Sequence, residues 1–165
     1  MASLTPTIYT IGYEGLDIER FLSLLQAHGI ETVVDIRELP LSRKRGFSKN
    51  VLSDTLGFCG LNYVHIPELG CPKSIRTRYR TDGNWSTYKV AFSQYLQTQS
   101  DAIADLSTIA AITNCALLCF EADFNFCHRS IVADAVNKLS GTPVCHISAS
   151  AIKTTGFADL ALAAA

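Results

Sequence analysis

The stretch Ala116-Leu-Leu-Cys-Phe-Glu-Ala-Asp-Phe-Asn-Phe-Cys-His-Arg-Ser130 decides the reading of this chain. Ala116 to Phe120 is an apolar run of strand length, bounded by a charge at Glu121. A short loop follows. Cys127, His128 and Arg129 then stand before a helical pattern, Ser130 to Leu139, whose apolar positions are Ile131, Val132, Ala135, Val136 and Leu139. Strand, loop and helix start form the unit at which open α/β sheets place their ligands. A thiol, an imidazole and a guanidinium in a row there make a reactive or anion-binding cluster.

The same alternation extends outward. Thr7 to Ile11 reads as a first strand and Gly12-Tyr-Glu-Gly15 as a turn. Asp17 caps a helix with Ile18, Phe21, Leu22 and Leu25 on one face, and Gly29 ends it. Thr32 to Ile36 is a second strand. Leu39 to Gly46 is a basic loop, and Ser48 caps a short helix carrying Val51, Leu52, Thr55 and Leu56. Asn62 to Ile66 is a third strand. The polar, basic run from Pro67 to Asn84 carries no clear apolar period and reads as a long loop, the kind that closes over or binds ligands. Tyr88, Phe92, Tyr95 and Leu96 mark one further helical face, and Ile103, Leu106 and Ala110 another. Val144 to Ile147 is a fifth strand, and the Ala-rich tail 148–165 is expected to form a terminal helix. Strands alternating with helices predict one three-layer α/β domain spanning 1–165, with its core in about 7–147. It has a mainly parallel sheet of about five strands with helices on both faces. Strand order and oligomeric state are left open.

Composition narrows the function classes. The chain has 165 residues, 48% of them hydrophobic and 18% charged, which suits a folded globular domain. With a net charge of −1, no global basic field draws it to nucleic acid, so such a contact needs a local patch. No secretory or membrane-spanning run is visible, which predicts a cytoplasmic protein without membrane contact. The six scattered cysteines then read as reduced thiols.

In a parallel sheet the C-terminal strand ends share one edge. That edge gathers Gly12 with Tyr13, Asp35 with Arg37, His65 with Glu68, Glu121, and Cys127-His128-Arg129. Cys127 is the candidate nucleophile, because a thiol at a helix start beside His128 and Arg129 has a lowered pKa. The alternative is a half-buried cysteine packing under the loop. His128 serves as acid or base, or positions the loop. Arg129 either binds an anion at the helix start or pairs with Asp35 or Glu121. Asp35 fits an ion pair with Arg37 or Arg129, while Glu121, opposite Cys127, has the better chance of chemistry. Cys119 reads as core.

Arg43, Lys44, Arg45 and Phe47 form a basic loop with an aromatic end. It suits a phosphate and a stacked base, or is simply a solvated loop. Arg76, Arg78 and Arg80 add positive charge. Cys119, Cys127, His128 and His65 offer soft donors, but Cys-x7-Cys-His lacks the paired spacing of structural zinc sites, so no metal is expected. No nucleotide or cofactor motif is present, and no cofactor is expected.

As a set, Thr10-Ile-Gly12, Val34-Asp-Ile-Arg37, Pro40, Ser42-Arg43, Phe47, Tyr63, Pro67-Glu-Leu-Gly70, Leu118-Cys-Phe-Glu121 and Cys127-His-Arg129 resemble the domain of unknown function 488 family, small bacterial and archaeal proteins. The resemblance runs from about residue 7 to 140, and its most specific part is Cys-x-Glu followed by Cys-His-Arg. It implies one compact α/β domain and a shared site built from these residues, but supplies no reaction. Cys71 stands where a second glycine is expected, and Phe120 and Phe126 make the loop more aromatic than usual.

The first functional expectation is an enzyme, a hydrolase or group transferase, acting on a phosphate-bearing substrate such as a nucleotide or nucleic acid. Arg37, Arg43 and Arg129 hold the anion. Glu121 or Cys127 acts as base or nucleophile, and Tyr13 or Phe47 stacks on a base. Gly12, Asp35 and Glu68 complete the site. The second is a non-catalytic module that binds an anionic small molecule or nucleic acid. The third is thiol redox chemistry between Cys119 and Cys127.

Overall fold

A computed structural model of the chain describes residues 5–149. The terminal helix expected in the tail falls almost wholly outside them. Among the described residues, five strands form one all-parallel sheet: β1 (Ile8–Gly12), β2 (Thr32–Asp35), β3 (Asn62–His65), β4 (Cys115–Cys119) and β5 (Val144–His146). Their order is β3-β2-β4-β1-β5. The α/β architecture anticipated from the alternating pattern is therefore present.

Strand alternation divides the core in two. Ile11, Val33, Ala116 and Leu118 face α1 (Ile18–Ala27) and α2 (Lys49–Phe58), where they pack on Phe21, Leu25, Leu52 and Leu56. Ile8, Val34, Cys115 and Leu117 face the other way, onto α4 (Trp85–Gln97), α5 (Ser100–Ile112) and α6 (His128–Ser140). All five residues of β4 are buried, as a central parallel strand covered on both faces requires. Burying one such leucine or phenylalanine is worth roughly 1.5–3 kcal/mol.

The run 67–84 is not a loop. Pro67–Leu69 forms one 3-10 turn, and α3 occupies Lys73–Asp82. Its polarity hid it: α3 buries no residue completely, and only Ile75 and Tyr79, one turn apart, pack on the core. Gly83 ends the helix in the left-handed conformation, its N–H bonded to the Tyr79 carbonyl.

The connections explain where the site lies. β4 sits between β1 and β2, whose following helices, α1 and α2, cover one face. The helix that follows β4, α6, covers the other. The loops leaving these neighbouring strands therefore diverge, and a crevice opens at their C-terminal ends.

Candidate functional site

The loop between β4 and α6 is pinned from three directions. Tyr13 N–H donates to the Cys119 carbonyl at 3.1 Å and Glu14 N–H to Phe120 O at 2.8 Å. The Glu14 carboxylate accepts Ala122 N–H at 2.8 Å. Arg129 is fully buried, and its guanidinium donates to Thr10 Oγ1, the Glu121 carbonyl and the Ala122 carbonyl. Gly12 permits this approach, since a Cβ there would lie 1.8 Å from Glu121 O. Arg129 thus fastens the loop instead of offering a free fork to an anion or pairing with Asp35 or Glu121. The helix begins two residues earlier than the apolar pattern, so Cys127 is the N-cap of α6, and His128 and Arg129 form its first turn.

This clamp sets three reactive side chains together. Cys119 Sγ, at the end of β4, lies 2.9 Å from Cys127 Sγ. His128 Nδ1 is 3.5 Å from the first sulfur and 3.9 Å from the second. His128 Nε2–H donates to the Ile36 carbonyl at 3.1 Å, and Phe92 supports the ring edge-on at 5.4 Å. Glu121 Oε2 lies 3.5 Å from Cys127 Sγ. The electrostatics are asymmetric. Burial alone would push the Cys127 thiol up, but contact with Cys119 and His128, and the charges of His128 and Arg129, bring it well below the usual thiol range. Burial and the neighbouring Cys127 charge push Cys119 up. Burial opposes charge on His128, yet Cys127 and the Ile36 carbonyl raise it. Partial burial and Cys127 raise Glu121.

A second polar cluster flanks the first. Asp35 and Arg37, both buried, form a two-point ion pair: Nη2 donates to Oδ2 at 2.6 Å and Nε to Oδ1 at 2.8 Å. Tyr63 O–H donates to Oδ2 at 2.6 Å. Arg37 Nη1 donates to Phe47 O at 2.7 Å and to Tyr13 O–H at 3.3 Å. Burial would lower the Arg37 pKa, but Asp35 more than offsets it and the net shift is upward. His65 Nε2–H donates to Arg37 O at 2.8 Å.

A cleft of about 620 Å³ opens over both clusters, within the range of small-molecule sites. Its lining includes Cys119, Glu121 and His128 from the β4 side, Tyr13 and Arg37, Arg43 from the basic loop, and Arg76 and Arg80 from α3. Four arginines face two carboxylates, Glu38 and Glu121, so the cleft favours anions. Arg76 pairs with Glu38 at 2.8 Å, whereas Arg43 and Arg80 are exposed and make no ion pair among the described residues.

A family model described as Domain of unknown function DUF488 matches residues 17–136. The chain belongs to that family. No curated protein and no solved structure matches it. The DUF488 match takes in the thiol cluster, the Asp35–Arg37 pair and all four cleft arginines, while Thr10, Gly12, Tyr13 and Glu14, which brace the loop, precede it.

Several of the expected site residues play other parts in this DUF488 chain. Phe47 is fully buried and stacks on Tyr13 at 4.4 Å, so neither presents a free face to a base. Lys44 folds back to donate to the Tyr13 and Leu16 carbonyls, and Arg45 does not line the cleft. Glu68 is exposed outside it, its carbonyl accepting Tyr95 O–H at 2.7 Å. Sequence reasoning missed Glu38, Tyr79 and Tyr88 as lining residues, since α3 read as loop and Tyr88 as core. Cys119 reads in sequence as core or, in the redox alternative, as the partner of Cys127; it is fully buried, and its sulfur lies against that of Cys127. The donor atoms of Cys119, Cys127 and His128 lie within 4.8 Å of one another, a soft set that suits zinc by chemistry. Yet two thiolates of one tetrahedral zinc stand about 3.8 Å apart. Here the sulfurs are 2.9 Å apart, closer than such an ion holds them.

Proposed function

We propose that the protein is a hydrolase or group transferase acting on a phosphate-bearing substrate, a nucleotide or nucleic acid, with Cys127 as nucleophile. The observation that carries this reading is one cleft with arginines free of ion pairs at its wall and, directly behind its floor, a thiol beside His128 at the start of α6. Arg43 and Arg80 sit at its wall with no carboxylate partner among the described residues, and Cys119, Glu121 and His128, which surround Cys127, line its floor. An arginine held without a partner is suited to a phosphate oxygen, and a charge-assisted contact of that kind is worth roughly 1.5–3 kcal/mol. Exposed Leu39, Leu41, Phe120 and Phe126 around the same cleft supply apolar surface for a nucleobase.

The Cys127 thiolate attacks phosphorus, the bond to the leaving oxygen breaks, and Glu121, its pKa raised, gives that oxygen a proton. Water or an acceptor hydroxyl, deprotonated by Glu121, then cleaves the sulfur–phosphorus bond and restores the thiolate. The arginines neutralise the equatorial oxygens throughout.

The test is turnover of a panel of nucleoside phosphates and phosphorylated oligonucleotides, with binding followed in parallel by calorimetry. C127S should abolish turnover. R43A and R80A should each weaken phosphate affinity by about tenfold or more, an effect that fades with added salt. Affinity unchanged in both arginine variants would remove the anion assignment. Binding that survives C127S, with no turnover in the wild type, would select the non-catalytic binding module, a reading favoured by the near-complete burial of Cys127.

A further inference from the structure

Phosphoryl transfer uses one thiol, and the fold brings two together. Cys119 and Cys127 come from different elements, eight residues apart in sequence, and their sulfurs meet at 2.9 Å. The contact follows from the clamp on the intervening loop by Gly12, Glu14 and Arg129. The remaining cysteines are placed differently. Cys59 and Cys145 are exposed, while Cys71 and Cys115 are buried with no sulfur partner among the described residues. Cys119 and His128 line the cleft and Cys127, 1% exposed, lies directly behind them, so a small solute held in the cleft stands next to the pair.

We propose that Cys127 is a site of reversible oxidation by a peroxide, and that Cys119 is the thiol that resolves it. The Cys127 thiolate attacks one peroxide oxygen. The oxygen–oxygen bond breaks, Cys127 becomes a sulfenic acid, and the other oxygen leaves as hydroxide or alkoxide and takes a proton from solvent. Cys119 then attacks the sulfenic sulfur. The sulfur–sulfur bond forms, and the departing hydroxide takes the Cys119 proton to leave as water. Both thiols together lose two electrons, and the peroxide gains them.

Geometry assigns the roles. His128 Nδ1 reaches both sulfurs, at 3.5 Å from Cys119 and 3.9 Å from Cys127, so position decides: Cys127 is the N-cap of α6, at the positive end of the helix dipole, while Cys119 ends a strand. Cys119 is completely buried at a strand end and keeps its proton until the sulfenic acid forms beside it. Closing from 2.9 Å to a bond needs a movement of about 0.9 Å, within reach of side-chain rotation. The disulfide consumes the thiolate, so turnover at the cleft stops until a dithiol reductant restores it. Only that last consequence rests on the phosphoryl-transfer reading; the oxidation itself does not.

The test uses the reduced full chain, a slight excess of hydrogen peroxide, alkylation of remaining thiols, and intact and peptide mass. The expected result is a loss of about 2 Da with the Cys119 and Cys127 peptides linked, Cys59 and Cys145 still alkylated, and full reversal by dithiothreitol. In C119S, and in C119A as the packing control, Cys127 should instead gain about 16 and then about 32 Da, the second step irreversible by thiols. Three outcomes overturn the proposal: wild-type Cys127 carried directly to the sulfinic acid, all six thiols still free after peroxide, or a thiol pair that reacts only after a chelator removes one zinc per chain. Absence of phosphoryl transfer with the reversible linkage intact would sink the transfer reading alone.

Discussion

The Ile36 carbonyl accepts a hydrogen bond from His128 Nε2 at 3.1 Å, which leaves Nδ1 facing the sulfurs of Cys119 and Cys127. Ile36 follows β2, while His128 opens α6, so two elements of the sheet edge fix the imidazole. A His128 proton at Nδ1 stabilises the Cys127 thiolate directly. Alkylation of Cys127 should therefore show an inflection well below the free-thiol value of about 8.5. In H128F the inflection should move up, and labelling near pH 6.5 should slow by about tenfold for each unit moved. Rates read from the Cys127 peptide check this. An unmoved inflection would assign the effect to Cys119, Arg129 and the helix start.

The same pair makes stability depend on pH in a defined way. Groups facing Cys127 are Cys119 from β4, Glu121 from the loop, and His128 and Arg129 from α6, with Tyr88 of α4 nearby. Cys127 has a depressed folded pKa, so its contribution is present above the unfolded thiol pKa and is lost as pH falls through the folded one. His128 has a raised folded pKa, so its contribution is present below about 6.5 and is lost as pH rises through the folded value. Where the folded pair holds thiolate and imidazolium, above the unfolded imidazole value of about 6.5 and below the unfolded thiol value of about 8.5, folded and unfolded forms bind the same number of protons and the two trends cancel. The stability difference between wild type and C127A, from urea melts, should change little with pH where the pair is charged and fall toward acid pH as the folded thiolate is protonated.

Much of this site was legible in the chain because parallel sheets align their strand ends. Asp35 and Glu121 each follow an apolar run and Cys127 the short loop after the second, so their convergence needed only the alternation of strands and helices. The Asp35–Arg37 pair was one of the two pairings that the spacing allowed. What stayed hidden depended on packing without a periodic signal. α3 turns one short apolar pair inward under a basic surface, so Arg76 and Arg80 reach the cleft from a helix that reads as loop. Arg129 looks like an anion ligand in sequence. Its actual partners are backbone carbonyls, brought close by a glycine on another strand, and no residue pattern records such a contact.

The Asp35 carboxylate holds Arg37 at two points and accepts Tyr63 O–H at 2.6 Å, all behind the cleft floor. D35N leaves a buried guanidinium without its charge partner and should cost about 3–5 kcal/mol in urea unfolding. Y63F removes one charge-assisted bond and should cost about 1.5–3 kcal/mol. In the double variant the losses should fall short of their sum, because both act on one network. R37K keeps the charge but loses the fork, and should resemble D35N more than wild type. Additive losses would mean that Tyr63 and Arg37 engage Asp35 independently.

Gly12 carries the tightest constraint on the loop. A Cβ at that position would lie 1.8 Å from Glu121 O and 3.0 Å from Arg129 Nη1, and the first of these neighbours is backbone. G12A must therefore shift the loop, at a cost of about 2–3 kcal/mol or more. Displacing Glu121 also loosens the Arg129 clamp, so Cys127 and Cys119 should separate. Peroxide should then yield less of the linked pair than in wild type, and alkylation of the otherwise buried Cys127 should speed up. Gly57, inside α2, is the control: nothing lies within 4 Å of its Cβ position. G57A should stabilise the chain by about 0.5–1 kcal/mol through helix propensity alone, with thiol chemistry unchanged. Equal stability in the two alanine variants would mean that the loop backbone yields to Gly12 freely, and the clamp would lose its role in setting the thiol pair.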